Sequence, residues 1–175
     1  MNELRAWIHE RVAAGENLTR AQLSELAVAL GNEPRFWSEH VRHDPQTRHF
    51  VQLYRDANVD LWLICWLDAQ DTGYHDHDVS CGAVYIVDGA LCEDYLYRDD
   101  DGWIREKTRQ RAAGEVWHFD ASSIHGLRHA GGPPVTSIHV YSPALWRMGH
   151  YSAGPLGLLR ESITYADEAA EGAKA

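Results

Sequence analysis

No apolar run in this chain of 175 residues approaches the roughly 18 residues that a membrane-spanning helix needs, so a soluble chain with no membrane partner is expected. The start, Met1-Asn2-Glu3-Leu4-Arg5, lacks the apolar core of a secretory leader. Cysteine is scarce: Cys65, Cys81 and Cys92 are an odd number without paired spacing, which excludes a disulfide framework and fits a reducing cytoplasm. Positive charge is also short. Lys plus Arg total 16 against 26 Asp plus Glu, for a formal charge of -10, and no basic stretch could neutralise a run of phosphates. Nucleic acid is therefore not an expected partner. Internal repeats are absent.

The remaining composition is that of an ordinary globular protein, with 45% hydrophobic and 24% charged residues, and seven Trp put aromatic content on the high side. The length suits one domain and is enough to bury a core without disulfide or metal support. A monomer is expected.

Residues 3 to 14 place Leu4, Trp7, Ile8 and Val12 at helical spacing, with Gly15 as the stop. Thr19 and Gln22 form a capping box for a helix over 21 to 30, and Pro34 opens a third short helix over 35 to 41. Trp7, Leu23, Leu26, Leu30, Phe36 and Trp37 are expected to pack against the downstream strands. From Arg48 the period changes from helix to strand. Segments 49–55, 59–67, 83–87, 90–97, 103–110, 115–119, 124–129 and 136–141 are short, rich in β-branched and aromatic residues, and separated by turn clusters. Strands at this spacing read as a small antiparallel barrel or sandwich, whose interior can hold one ligand. After Pro143 the pattern weakens; 154–157 reads as loop and 165–175 as a frayed tail. The expected organisation is a helical cover over 1–45, a barrel over 46–150 and an extension over 151–175.

His75 and His77, separated by one residue, project to the same side of a strand, so one metal ion can take a nitrogen from each. Ser137, His139 and Tyr141 likewise share one strand face. If that face is the metal-facing one, serine can hold the imidazole, the imidazole can accept from the tyrosine, and the phenol can serve as a donor.

Downstream of Gly73-Tyr74-His75-Asp76-His77 stand Gly114, Asp120, Ser122, His125 and His129. Together these pieces resemble the paired motifs of the cupin superfamily, G-x5-HxH-x3-4-E-x6-G and G-x5-P-x-G-x2-H-x3-N. The resemblance implies a mainly β fold, a cupin barrel or jelly roll with N-terminal α-helices, and metal ligation by His75, His77 and His125. Counting back from Gly89 puts the superfamily's metal-binding glutamate at Gly82, which leaves three neutral imidazoles and no carboxylate. With Ser137-Ile138-His139-Val140-Tyr141-Ser142-Pro143, the match over roughly residues 46 to 146 narrows to thiol dioxygenases of the cysteine dioxygenase type.

That resemblance implies one Fe(II) per chain, O2 as co-substrate, a small-molecule thiol as substrate and a sulfinic acid as product, with Tyr141, His139 and Ser137 as the catalytic relay. The missing anionic ligand suits a substrate that brings its own thiolate. A Cys-Tyr thioether found in some animal members would need a cysteine at Gly82, so none is expected here. Cys65 and Cys92 read as inert core residues. The family arginine that clamps a substrate carboxylate falls at about His49 or Phe50, with Arg48 one or two residues off. Arg48, Phe50 and Gln52 share a parity, as do Trp62, Ile64 and Trp66; Arg48, Phe50, Gln52 and Trp66 are taken as the substrate-binding set. An aromatic pocket would suit a larger or quaternary-ammonium thiol such as ergothioneine, and a carboxylate fork would suit cysteine or 3-mercaptopropionate. Two further readings stay open: a non-catalytic cupin that binds a metal or small ligand, and a cupin enzyme acting on a non-thiol, which would normally keep the glutamate. His129 replaces the motif's asparagine and is expected to support the site or lie at the surface. His118 reads as structural, and His9, His40, His43, His49 and His150 read mostly as surface residues.

Overall fold

The computed structural model describes residues 2–154 and 157–166. Helix α1 (Asn2–His9) is shorter than its apolar spacing suggests, because the chain passes into turns well before Gly15. Helix α2 (Arg20–Gly31) begins on the expected capping box: the Thr19 hydroxyl accepts from the Gln22 N–H, and Gln22 Oε1 accepts from the Thr19 N–H at 2.9 Å. The expected third helix is instead two 3-10 turns, Pro34–Phe36 and Ser38–His40. Between them Trp37 leaves helical geometry (φ -139°), and its buried indole donates to the Leu30 carbonyl at 3.0 Å.

Eleven strands follow among the described residues: β1 (His49–Arg55), β2 (Asp60–Trp66), β3 (Tyr74–His75), β4 (Cys81–Asp88), β5 (Ala90–Arg98), β6 (Ile104–Ala112), β7 (Val116–Phe119), β8 (His125–His129), β9 (Val135–Ser142), β10 (Arg147–Gly154) and β11 (Gly157–Tyr165). The eight expected segments are all present, with ends moved by one or two residues. β3 is too short to show a period. β10 and β11 replace the weak pattern after Pro143: Gly149, Gly154 and Gly157 dilute the local preference, and pairing to each other and to β3 supplies what propensity does not. The barrel boundary expected at residue 150 therefore cuts through β10, and the sheet runs on to Tyr165. Pro155 and Leu156 of the expected loop, and most of the expected tail, lie outside the described residues.

The strands form two antiparallel sheets, β1-β2-β9-β4-β7 and β11-β10-β3-β8-β5-β6. The central strands β2, β9 and β4 of the first are buried on both faces, which explains their near-continuous apolar runs. Leu61, Leu63, Ile138 and Val140 pack with Ile8, Leu23, Leu26 and Leu30 of the helices. The alternate positions Trp62, Trp66, Val84, Ile86 and Tyr141 belong to a second core on the barrel side. All the tryptophans and leucines expected to serve as cover sit in the first core, with Phe36 partly buried against it. Helices that seal one face leave the other face free to line a cavity between the sheets.

Candidate metal centre and its cavity

Strand period places the first two elements of the site. On β9 the odd positions Ser137, His139 and Tyr141 face the interior while Ile138 and Val140 face the helices. On β3, His75 is paired in register with His125 of β8, and His77 follows two residues on. Ligand atoms of His75, His77 and His125 lie within 4.8 Å of one another, and all three residues are buried. Small ring rotations close such a cup onto a single ion, given metal–nitrogen bonds of about 2.0–2.1 Å.

The hydrogen bonds around the cup fit a metal. His75 Nδ1 is 3.1 Å from the Gly73 carbonyl, and His125 Nδ1 is 3.0 Å from Glu93 Oε1, so Nε2 is left free on each ring. Both ring nitrogens of His77 are buried with no protein partner, an arrangement that is costly unless something else satisfies one of them. Burial, reinforced by neighbouring imidazoles, pulls His75 down to about 3 and His77 well below its usual value. The rings are therefore neutral near pH 7, as metal ligation requires.

No carboxylate belongs to the trio. At Gly82, the expected place of the superfamily glutamate, a Cβ would run into the Phe119 ring. That ring lies 4.5 Å, centroid to centroid, from both His77 and His125. An aromatic wall thus stands where an acidic ligand would have reached.

Sequence reasoning misses Glu93. Its buried carboxylate accepts from His125 Nδ1 and, at 2.9 Å, from Trp117 Nε1, with Arg111 at 3.4 Å from the other oxygen. Burial alone would raise its pKa; the His125 hydrogen bond and the charges around it reverse that, and the carboxyl sits below its ordinary value. The available signal is strand parity, since Glu93 shares its face of β5 with the fully buried Leu91 two residues earlier. A carboxylate behind a ligating imidazole fixes its tautomer and orientation. Glu93→Gln should therefore lower metal affinity by about 10–100-fold, measured by competition with a chelator indicator; unchanged affinity would leave Glu93 a purely structural residue.

The cavity between the sheets has a volume of about 310 Å³, within the range of small-ligand sites. Beside the trio it is lined by Arg48, Phe50, Trp62, Phe119, His139 and Tyr141, among others. Arg48 enters although it misses the family register. Its NH1 donates to the Asp71 carbonyl, its Cζ lies 4.8 Å from the Trp66 ring centroid, and its buried Nε has no partner. Burial pulls its pKa down from an ordinary value so high that the guanidinium stays charged.

Two members of the expected substrate-binding set stand elsewhere. Gln52 is not among the lining residues; the β1 register shifts between Gln52 and Tyr54, and its Nε2 donates to Asp60 at 2.9 Å. Trp66 lies behind the relay, donating from Nε1 to Ser137 Oγ at 2.9 Å. Ser137 Oγ is 2.9 Å from His139 Nε2, and His139 Nδ1 is 3.4 Å from the Tyr141 hydroxyl. His150, expected at the surface, lines the cavity, while His129 is held by the Pro133 carbonyl and the Gly131 N–H, outside the trio. Cys65 and Cys92 are buried and unpaired, and Cys81 is unpaired too.

Two antiparallel sheets around three buried imidazoles define a cupin with a site able to hold a metal. The fold comparison agrees: a double-stranded β-helix protein from Klebsiella pneumoniae superposes with a TM-score of 0.51 at 15% identity, covering 61% of this chain and 80% of that one. A recombinant oxalate oxidase in complex with glycolate gives 0.50 at 13% identity, covering 61% and 56%.

The chain belongs to the cysteine dioxygenase type I family, whose model matches residues 2–153. It is similar to cysteine dioxygenase type 1 of Rattus norvegicus and of Homo sapiens, at 23% identity over 143 residues in each case. Those alignments cover 78% of this chain and 70% and 71% of the two relatives. That membership makes it an oxidoreductase of the dioxygenase class.

Proposed function

We propose that this protein is a mononuclear Fe(II) thiol dioxygenase that converts R-SH and O2 into the sulfinic acid R-SO2H, with both oxygen atoms taken from one O2. The observation that carries this reading is the ligand set: three buried imidazoles with a phenyl ring in the glutamate's place. A ferrous ion held by His75, His77 and His125 would lower the pKa of a thiol and activate O2. Without a protein carboxylate, the cup suits a substrate that brings a soft anionic sulfur of its own.

The chain's own residues do the rest. Arg48 keeps a charged fork with an unpartnered buried Nε at the cavity wall, which fits an anionic group such as a carboxylate on the same substrate. Phe50, Trp62 and Phe119 exclude water, which strengthens every charged contact inside. Tyr141 presents a neutral phenol, since burial pushes its ionisation up. The substrate is a small thiol, and the unpaired cysteines suit a reducing cytoplasm.

Anaerobic iron loading followed by a panel of cysteine, 3-mercaptopropionate, cysteamine and ergothioneine tests the proposal, scored by oxygen uptake and by sulfinate mass. Turnover is expected with thiols that carry a carboxylate and not with cysteamine. Uptake with cysteamine alone would remove Arg48 from the reading. No uptake with any thiol would favour a non-catalytic or non-thiol cupin.

A further inference from the structure

One imidazole in the cavity belongs to neither the metal trio nor the relay. His150 stands on β10 in register with His75 on β3, their ring centroids 6.5 Å apart, and lines the cavity together with Met148 two residues earlier. Its Nε2 is hydrogen bonded across the hairpin to Thr164 Oγ1 at 3.0 Å, and Nδ1 has no protein partner among the described residues.

The backbone is built to aim this ring. The β10–β11 register shifts between His150, opposite Ser162, and Tyr151, opposite Arg160, so Glu161 is an extra residue. Bulges of this kind next to active sites re-aim a side chain. The hairpin is also fastened to the ligand strand. Asp76, between the two ligand histidines, accepts from the Gly149 N–H at 3.0 Å and from the Tyr151 hydroxyl at 2.5 Å, and Arg147 pairs with Asp78 at 3.0 Å. Thr164 and Ala166, which line the cavity from this side, lie past residue 153, where the family match ends.

Arg48 reaches the cavity just ahead of β1 in one sheet, and His150 comes from β10 in the other. A ligand that covers His150 strips water from Nδ1, which then needs a partner. A second anion would meet no lysine or arginine on that wall, whereas in the tautomer that donates Nε2–H to Thr164 Oγ1 the free Nδ1 is an acceptor, which suits a nitrogen carrying hydrogen.

We propose that His150, held by Thr164, is a specificity-determining residue that hydrogen bonds through Nδ1 to a nitrogen group of the substrate, while Arg48 takes its anionic group. This rests on the thiol reading given above.

Cysteine and 3-mercaptopropionate share sulfur and carboxylate and differ in the amine, so they form the test pair. Their dissociation constants can be read from thiolate-to-cobalt absorption of the Co(II)-loaded protein, independently of turnover. The wild type is expected to favour cysteine by about tenfold or more, the worth of one good hydrogen bond. His150→Leu should bring that ratio down by about tenfold, and Thr164→Val by about threefold, because the ring loses its orienting partner. A ratio unchanged in His150→Leu overturns the inference, as does an unchanged ratio in Thr164→Val if the first variant does not fold. An absorption band with an unchanged ratio sinks this inference alone; no band with either thiol sinks the thiol reading and this inference with it.

Discussion

Anaerobic addition of Fe(II) to the metal-free protein, at about one hundred times its dissociation constant, is expected to raise the unfolding midpoint by about 5–10 °C, and His77→Ala should abolish that rise. An ion that binds only the folded state at this excess stabilises it by about 2.7 kcal/mol. For a chain of this size each kcal/mol moves the midpoint by about 2–4 °C. His77 is the telling position because both its nitrogens are buried without a protein partner, whereas His75 and His125 each keep one hydrogen bond in the metal-free state. Its removal leaves two imidazoles, too few to hold an ion against desalting, so iron content and oxygen uptake should vanish together. His129→Ala should keep the rise, since that ring is engaged by Pro133 and Gly131 away from the trio. A full rise in His77→Ala would take His77 out of the ligand set.

The trio and the relay are legible in the sequence. The relay and the His75/His77 pair are period-two patterns, and the alternation that the relay requires holds through β9; His77 keeps the spacing although it lies just past β3, and His125 is found by its place in the second motif. The missing acid at Gly82 is legible by counting, but its replacement is not: Phe119 comes from β7, and nothing local says that its ring fills the space over Gly82. Glu93 has no chemistry of its own in the sequence until Trp117, Arg111 and His125 are brought to it from three other strands. Arg48 is off register by simple counting, yet it precedes β1 and reaches the cavity by passing over Trp66. The C-terminal hairpin escapes sequence reasoning altogether, because its strands owe their conformation to pairing rather than to propensity. His150 escapes with it. What the sequence hides is in each case a contact made between separate strands.

Tyr141→Phe is expected to lower kcat by about a hundredfold, the usual scale for loss of one preorganised donor, while iron content and thiol affinity stay close to those of the wild type. Direction in the relay follows from donor counting. The Trp66 indole can only donate, so the single Ser137 hydrogen goes either to His139 Nε2 at 2.9 Å or to the Ile64 carbonyl at 3.3 Å. The shorter contact puts the imidazole proton on Nδ1, which donates to the Tyr141 oxygen, the reverse of the direction expected from the sequence, and leaves the phenol hydrogen free for an acceptor in the cavity. Burial, with Arg48 nearby, pulls His139 down to about 3, so the ring remains neutral and keeps that arrangement. Loss of the hydroxyl then removes a transition-state contact without touching the metal cup, and kcat and kcat/KM should fall together. Because serine and histidine act only through the phenol, adding His139→Leu to Tyr141→Phe should cost little more than Tyr141→Phe alone. Additive losses in that double-mutant cycle would mean that His139 contacts the substrate in its own right.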